Sequence, residues 1–316
     1  MFGIGMFTGG GQAFAGLVLE GERVIDLAPE GYGDTRELLA DWDSALGRLE
    51  ALAAGNDGAG VPLDSLVTLP PVTPVQILQS GANYRKHVID IILAEERERG
   101  IMSEEDALAM GQKIMDERVA NGEPYLFFGT VTAMCGAYDD VILPESGTQH
   151  DWELELAAVI GRPGRDIPLE RALEHVAGYT IANDVTTRDR VYRPDLEAIG
   201  TDWLRAKNSP TFLPTGPYIV PSRFVPDPGS LSVTLKLNGE LMQNGSTADM
   251  IYDVAHLVSY ASKLVALQPG DLVLTGSPEG NGMHYGRFLT EGDVMEGEIT
   301  GLGRQRNRCV AAAHAR

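Results

Sequence analysis

Cysteine is nearly absent from this 316-residue chain, which has only Cys135 and Cys309 and no C-x-x-C spacing. That argues against a disulfide framework and a thiolate zinc site, and it fits a reducing cytoplasm. Basic residues are scarce as well: 25 Lys and Arg stand against 45 Asp and Glu, for a net charge of −20 and a pI near 4.6. A field of that sign works against nucleic acids and anionic membranes as partners. No apolar run approaches the roughly 20 residues that a membrane-spanning helix needs. The opening "MFGIGMFTGGGQAFAG" lacks a basic segment followed by an apolar core, so no secretion signal is expected. Repeats and low-complexity tracts are missing too. What is present is a 43% hydrophobic chain, ample for a large core, and the expectation is a cytoplasmic protein.

Residues 1–70 read as a small β-rich unit, with strands on either side of Gly21 and then a helix over "TRELLADWDSALGRLEALAA". The proline-rich "LPPVTPV", Leu69 to Val75, marks a linker, and residues 71–316 read as the main domain. A charged helix follows the glycine turn in "QSGANYRKHVIDIILAEERERG", and Ser103 in "SEED" is positioned to cap a second one. The polar stretch of about residues 86–121 therefore reads as a helical excursion over the body, either a lid or a hairpin with no role. From Tyr125 onward the chain reads as β-rich. "LSVTLKL" alternates strictly before Asn238-Gly239, a hairpin signal. Apolar residues at 250, 254, 257, 258, 261, 264 and 265 have helical spacing, and His256 on that helix reads as a core or surface histidine.

The chemistry begins at "HDWELELAAVIG". On a strand, Glu153 and Glu155 share one face while Leu154, Leu156 and Ala158 share the other. A third carboxylate, Asp184, ends the apolar "GYTIAND". Three carboxylates brought together repel one another unless a cation lies among them. Oxygen-only ligands select a hard ion, Mg²⁺, Mn²⁺ or Ca²⁺. Spacing alone leaves open that the two glutamates are simply the wet face of an antiparallel strand.

Several motifs occur together: "GANYRKH", "EPYLFFG", "HDWELELAAVIG", "GYTIANDVTTRD", "RAKNSPTFLPTGPYIV", "LKLNGELMQNGSTADMIYDV" and "LQPGDLVLTGSPEGNG". In this order they resemble the fumarylacetoacetate hydrolase family over roughly residues 75–308. The resemblance implies an α+β, predominantly β fold: a mixed β-sheet roll with a small N-terminal β-rich domain and a helical lid, usually a homodimer. It implies Mg²⁺ or Mn²⁺ held by Glu153, Glu155 and Asp184, with Lys207 beside the metal. It implies His87 as the lid histidine and general base, with Asp90 at i+3 on the same helix face to orient it. Substrate contacts fall at Tyr84, Arg188, Thr275 and Gly276.

The implied reaction is metal-dependent hydrolysis of a C–C bond in a β-diketone or acylpyruvate-type substrate, through an enolate held at the metal. The same site could run decarboxylation, tautomerisation or dehydration of a keto or sugar acid. A third reading is a binding protein that keeps the fold without turnover. The chain departs from the family at Gly129, where a lysine is usual, at Arg190 and Val191, where a glutamine is usual, and at Pro210, near an expected aspartate. The first departure suggests a less anionic substrate, and the long lid suggests a larger one.

Overall fold

The computed structural model describes residues 1–55, 58 and 60–314. Its centre is the strand Leu154–Ile160, every residue of which is buried. It pairs antiparallel with Val176–Asn183 on one side, Glu155 opposite Ala182, and with Leu272–Leu274 on the other. Leu272–Leu274 runs parallel to Ile77–Gly81, and Tyr125–Gly129 closes that edge of the eight-stranded mixed sheet. A strand that reads as a near-continuous apolar run is one covered on both faces. Leu154, Leu156, Ala158 and Ile160 enter one core, with Leu235, Leu257 and Val258. Ala157 and Val159 enter a second, with Ile4, Leu17, Leu39 and Leu49 from the N-terminal sheet and its helices. The glutamates therefore do not lie on a wet face: Glu153 is 6% exposed and Glu155 1%.

A second, five-stranded sheet runs in the order Glu240–Ser246, Ser232–Leu237, Val294–Ile299, Gly303–Ala311 and Val141–Leu143. Its first hairpin turns at Asn238 and Gly239, both at positive φ (52° and 85°), as the Asn-Gly pair requires. The helix expected from residue 250 starts later, at Val254, because Asp253 caps it by accepting from the His256 N–H. His256 stays on the surface, its ring 2.8 Å from Asp253. The single helix expected over 35–54 is broken at Asp41 into Thr35–Ala40 and Trp42–Gly55. Among the described residues no helix is long and apolar enough to cross a membrane.

The helices Arg85–Arg99 and Glu104–Asn121 pack on each other as a hairpin, the second capped by Ser103 as its sequence suggests. Arg85–Asp116 and Arg97–Glu104 ion pairs, each at 2.6 Å, link the two. Asn83 anchors the base of this hairpin. Its amide donates to the Tyr252 and Thr275 carbonyls at 2.9 and 2.8 Å, and its oxygen accepts from the Tyr252 N–H at 3.0 Å. Asn83→Ala would leave these buried groups unpaired and should cost about 3 kcal/mol in urea unfolding. A loss below about 0.5 kcal/mol would contradict this anchoring role.

Candidate active site

Four elements deliver the site. Glu153 precedes the central strand and Glu155 lies on it. Asp184 follows the neighbouring strand Val176–Asn183, its N–H bonded to the Glu153 carbonyl at 2.9 Å. The Asn183 side chain accepts from the Glu153 N–H at 2.9 Å, which locks the two ends together. Lys207 ends the short helix Trp203–Lys207, and His87 lies in the first turn of the helix Arg85–Arg99. Glu153, Glu155 and Asp184 each offer an oxygen, and these atoms lie within 4.8 Å of one another.

The charges are tightly coupled. Lys207 Nζ donates to Glu153 Oε2 at 2.6 Å and to Asp184 Oδ2 at 2.5 Å. Arg188, its side chain 9% exposed, reaches Glu153 Oε1 at 2.5 Å and Asp151 Oδ2 at 2.8 Å. Burial favours the neutral acid, yet Arg188 and Lys207 hold Glu153 well below the usual carboxylate range. Glu155 goes the other way: burial, then repulsion by Asp184 and Glu153, push it well above that range. Burial also raises Asp184, against the pull of Lys207. His87 is 5% exposed, and burial drops it to about 4, so its imidazole is neutral at pH 7.

A divalent ion fits this donor set. Asp151, Glu153, Glu155 and Asp184 are four buried carboxylates facing two cations, Arg188 and Lys207. A charge of two is what the group lacks, and Glu155 carries the consequence. Its Oε2 has the Gly276 N–H at 2.8 Å as a hydrogen-bond donor. All-oxygen ligands suit Mg²⁺ or Mn²⁺.

Some site residues have partners other than those expected. Asp90 does not orient His87. It pairs with His284 Nδ1 at 3.1 Å, while His87 places Nε2 3.8 Å from Glu153 Oε1 and Nδ1 3.5 Å from the Asn281 amide. Helical spacing brings Asp90 and His87 to one face, but the imidazole turns inward and the shorter carboxylate turns to His284 on the short helix Gly282–Tyr285. The Thr275 hydroxyl donates to the Leu156 carbonyl at 3.0 Å, and the Gly276 amide serves Glu155, so both are engaged within the protein. Tyr84 is fully buried beside Thr275, with its phenol raised by burial. Arg188 reaches both Glu153 and a neighbouring cleft of about 520 Å³, lined also by Ile91, Ala94, Trp203, Met283 and Phe288.

Three residues that the sequence reading passed over complete the site. Asp151 bonds the Gly282 and Met283 N–H groups as well as Arg188, at 2.5, 3.3 and 2.8 Å. Asn281 faces His87, and Gln79 Nε2 donates to Asp184 Oδ1 at 2.6 Å. Asp151 lies beside the glutamate pair in "HDWELE", the one sequence signal available for it. Glu155→Gln removes one of the three candidate ligands and also a destabilised buried carboxyl. It should abolish divalent-ion content by elemental analysis while leaving the metal-free unfolding midpoint at or above wild type. Unchanged metal content in that variant would refute the assignment.

Comparison with known proteins agrees with this geometry. Residues 76–310 match the family model of the fumarylacetoacetate (FAA) hydrolase C-terminal domain. The chain is 36% identical over 274 residues to a 2,4-didehydro-3-deoxy-L-rhamnonate hydrolase of a Sphingomonas species, covering 84% of this chain and 86% of the relative. It is 37% identical over 302 residues to a mitochondrial oxaloacetate tautomerase of Xenopus laevis, covering 93% and 85%. A maleylpyruvate hydrolase from a Sphingobium species, solved with manganese(II) and pyruvate, superposes with a TM-score of 0.74 at 26% identity, covering 98% of this chain and 99% of the other. The chain belongs to the fumarylacetoacetate hydrolase family.

Proposed function

We propose that the protein is a divalent-metal-dependent hydrolase that cleaves a C–C bond in an acylpyruvate-type or related 1,3-dicarbonyl compound. The observation that carries this reading is a neutral, buried His87, in the first turn of the helix Arg85–Arg99, held 3.8 Å from Glu153. A divalent ion, Mg²⁺ or Mn²⁺ with Ca²⁺ the remaining hard-ion choice, would supply Lewis-acid stabilisation of negative charge on the substrate's oxygens.

The chain's own residues do the rest. His87 accepts a proton from water as the water adds to the distal carbonyl, and the carboxylate of Glu153 stabilises the imidazolium that forms. The C–C bond then breaks toward the enolate, which takes up a proton to give the keto product. Lys207, kept charged by Asp184 and Glu153, adds a fixed positive charge near the departing enolate. Arg188 and Asp151 keep Glu153 in place, and the lid excludes bulk water. The same reading takes the enzyme as a homodimer in the cytoplasm, a compartment with which two free, buried cysteines are consistent.

Keto–enol tautomerisation is the second reading, favoured by the identity to the oxaloacetate tautomerase across 93% of this chain. In that reaction His87 would move a proton between carbon and oxygen and no water would be consumed. Incubation of the Mn²⁺-loaded protein with acylpyruvates and oxaloacetate, followed by NMR, separates the two. Release of pyruvate and a carboxylic acid supports the hydrolase; enol–keto conversion alone supports the tautomerase. No turnover by protein containing metal would sink both. In either case His87→Ala should keep its metal and lose about 10²–10⁴ in kcat; a variant with near-normal kcat would show that the base is elsewhere.

A further inference from the structure

We propose that Gln79 is a positioning residue for Asp184, and that Gly129 is what allows it to reach. The proposal rests on the triad's being a divalent-ion site. Gln79 is 2% exposed on the strand Ile77–Gly81, and its Nε2 donates to Asp184 Oδ1 at 2.6 Å. Lys207 holds the other oxygen, Oδ2, at 2.5 Å. The carboxylate is thus gripped at both ends, Oδ1 by Gln79 and Oδ2 by Lys207, which fixes its orientation toward Glu153 and Glu155.

The opposite end of the Gln79 amide explains the glycine. Gln79 Oε1 is buried without a hydrogen-bond partner. Turning the amide over would set that oxygen against the Asp184 carboxylate, so the orientation is forced and the carbonyl stays unpaired. It occupies the space where a side chain at 129 would begin. In the antiparallel pairing Ile77 stands opposite Gly129 and Gln79 opposite Phe127, so residues 79 and 129 are diagonal neighbours on one face. A Cβ at 129 would lie 2.7 Å from Gln79 Oε1, 3.0 Å from its Cδ and 3.2 Å from Ile77 Cγ2. Ile77 is fully buried, so the flexible Gln79 amide is the neighbour that gives way. Any side chain at 129 therefore swings the amide away from Asp184. Gln79 and Gly129 form one device, and the glycine is explained by the metal site's outer shell before any appeal to the substrate.

Outer-shell partners of this kind typically change metal affinity by about 10–100-fold. The test is Mn²⁺ titration of the full chain, reading free Mn²⁺ by electron paramagnetic resonance, for wild type, Gln79→Met, Gly129→Ala and the double variant. Each single variant should weaken Mn²⁺ binding by at least about 10-fold, with the metal-free unfolding midpoint near that of wild type. The double variant should bind no more weakly than Gln79→Met, since both changes remove the same contact. Should one variant fail to fold, the other carries the test alone. Unchanged affinity in a folded single variant, or fully additive losses in the double, would overturn the proposal. Failure of wild type to bind Mn²⁺ would instead overturn the metal-site reading beneath it.

Discussion

Everything at this site follows from a charge imbalance sealed inside the fold. Four carboxylates stand within reach of two cations, with little water to screen them. Each neighbouring group takes a place that this imbalance assigns. Lys207 and Arg188 hold Glu153 ionised, and Gln79 and Lys207 fix Asp184. Burial and repulsion push Glu155 well upward, and burial raises Asp184 and Asp151 as well. A stable protein tolerates such a cluster when a resident cation answers it, which is why the cluster reads as a metal centre more than as a set of structural ion pairs.

The fold concentrates this charge without exposing it. Apolar side chains at alternate positions of the central strand enter two separate cores, so the glutamates are carried into the interior by neighbours that must be buried. The helical hairpin brings His87 to the same place from another direction, and Asn83 fastens its base to the loop after Leu274. Asp90 and His284 add a contact between the lid helix and the segment that carries Asn281. The carboxylates, His87 and the helical hairpin are therefore linked by short paths, and the hairpin's partners Thr275 and Asn281 lie more than 190 positions along the chain from Asn83 and His87.

Much of this was legible in the sequence, and the gaps have physical reasons. Glu153, Glu155 and Asp184 were readable because strand period and an acidic strand end are local signals, and the triad does converge. Ser103 and Asn238-Gly239 were readable because caps and tight turns depend on a few adjacent residues. Asp151 was not, since its partners Gly282 and Met283 open the short helix Gly282–Tyr285, which only tertiary structure brings near. The Asp90 pairing was misread because helical spacing limits which residues share a face and says nothing of a histidine arriving from elsewhere. Thr275 and Gly276 were located at the site, but the Leu156 carbonyl and the Glu155 side chain engage their polar groups. Gly129 looked like a lost contact, and it is better understood as space that Gln79 uses.

The central claim is that Glu153, Glu155 and Asp184 exist to hold one divalent ion. The most direct measurement is anomalous diffraction at the manganese edge from crystals grown with Mn²⁺. The account predicts a single strong peak per chain among the three carboxylates, with Lys207 and Arg188 beside it. Absence of a peak there at saturating Mn²⁺, or a peak elsewhere with the triad still closed on Lys207, would contradict it.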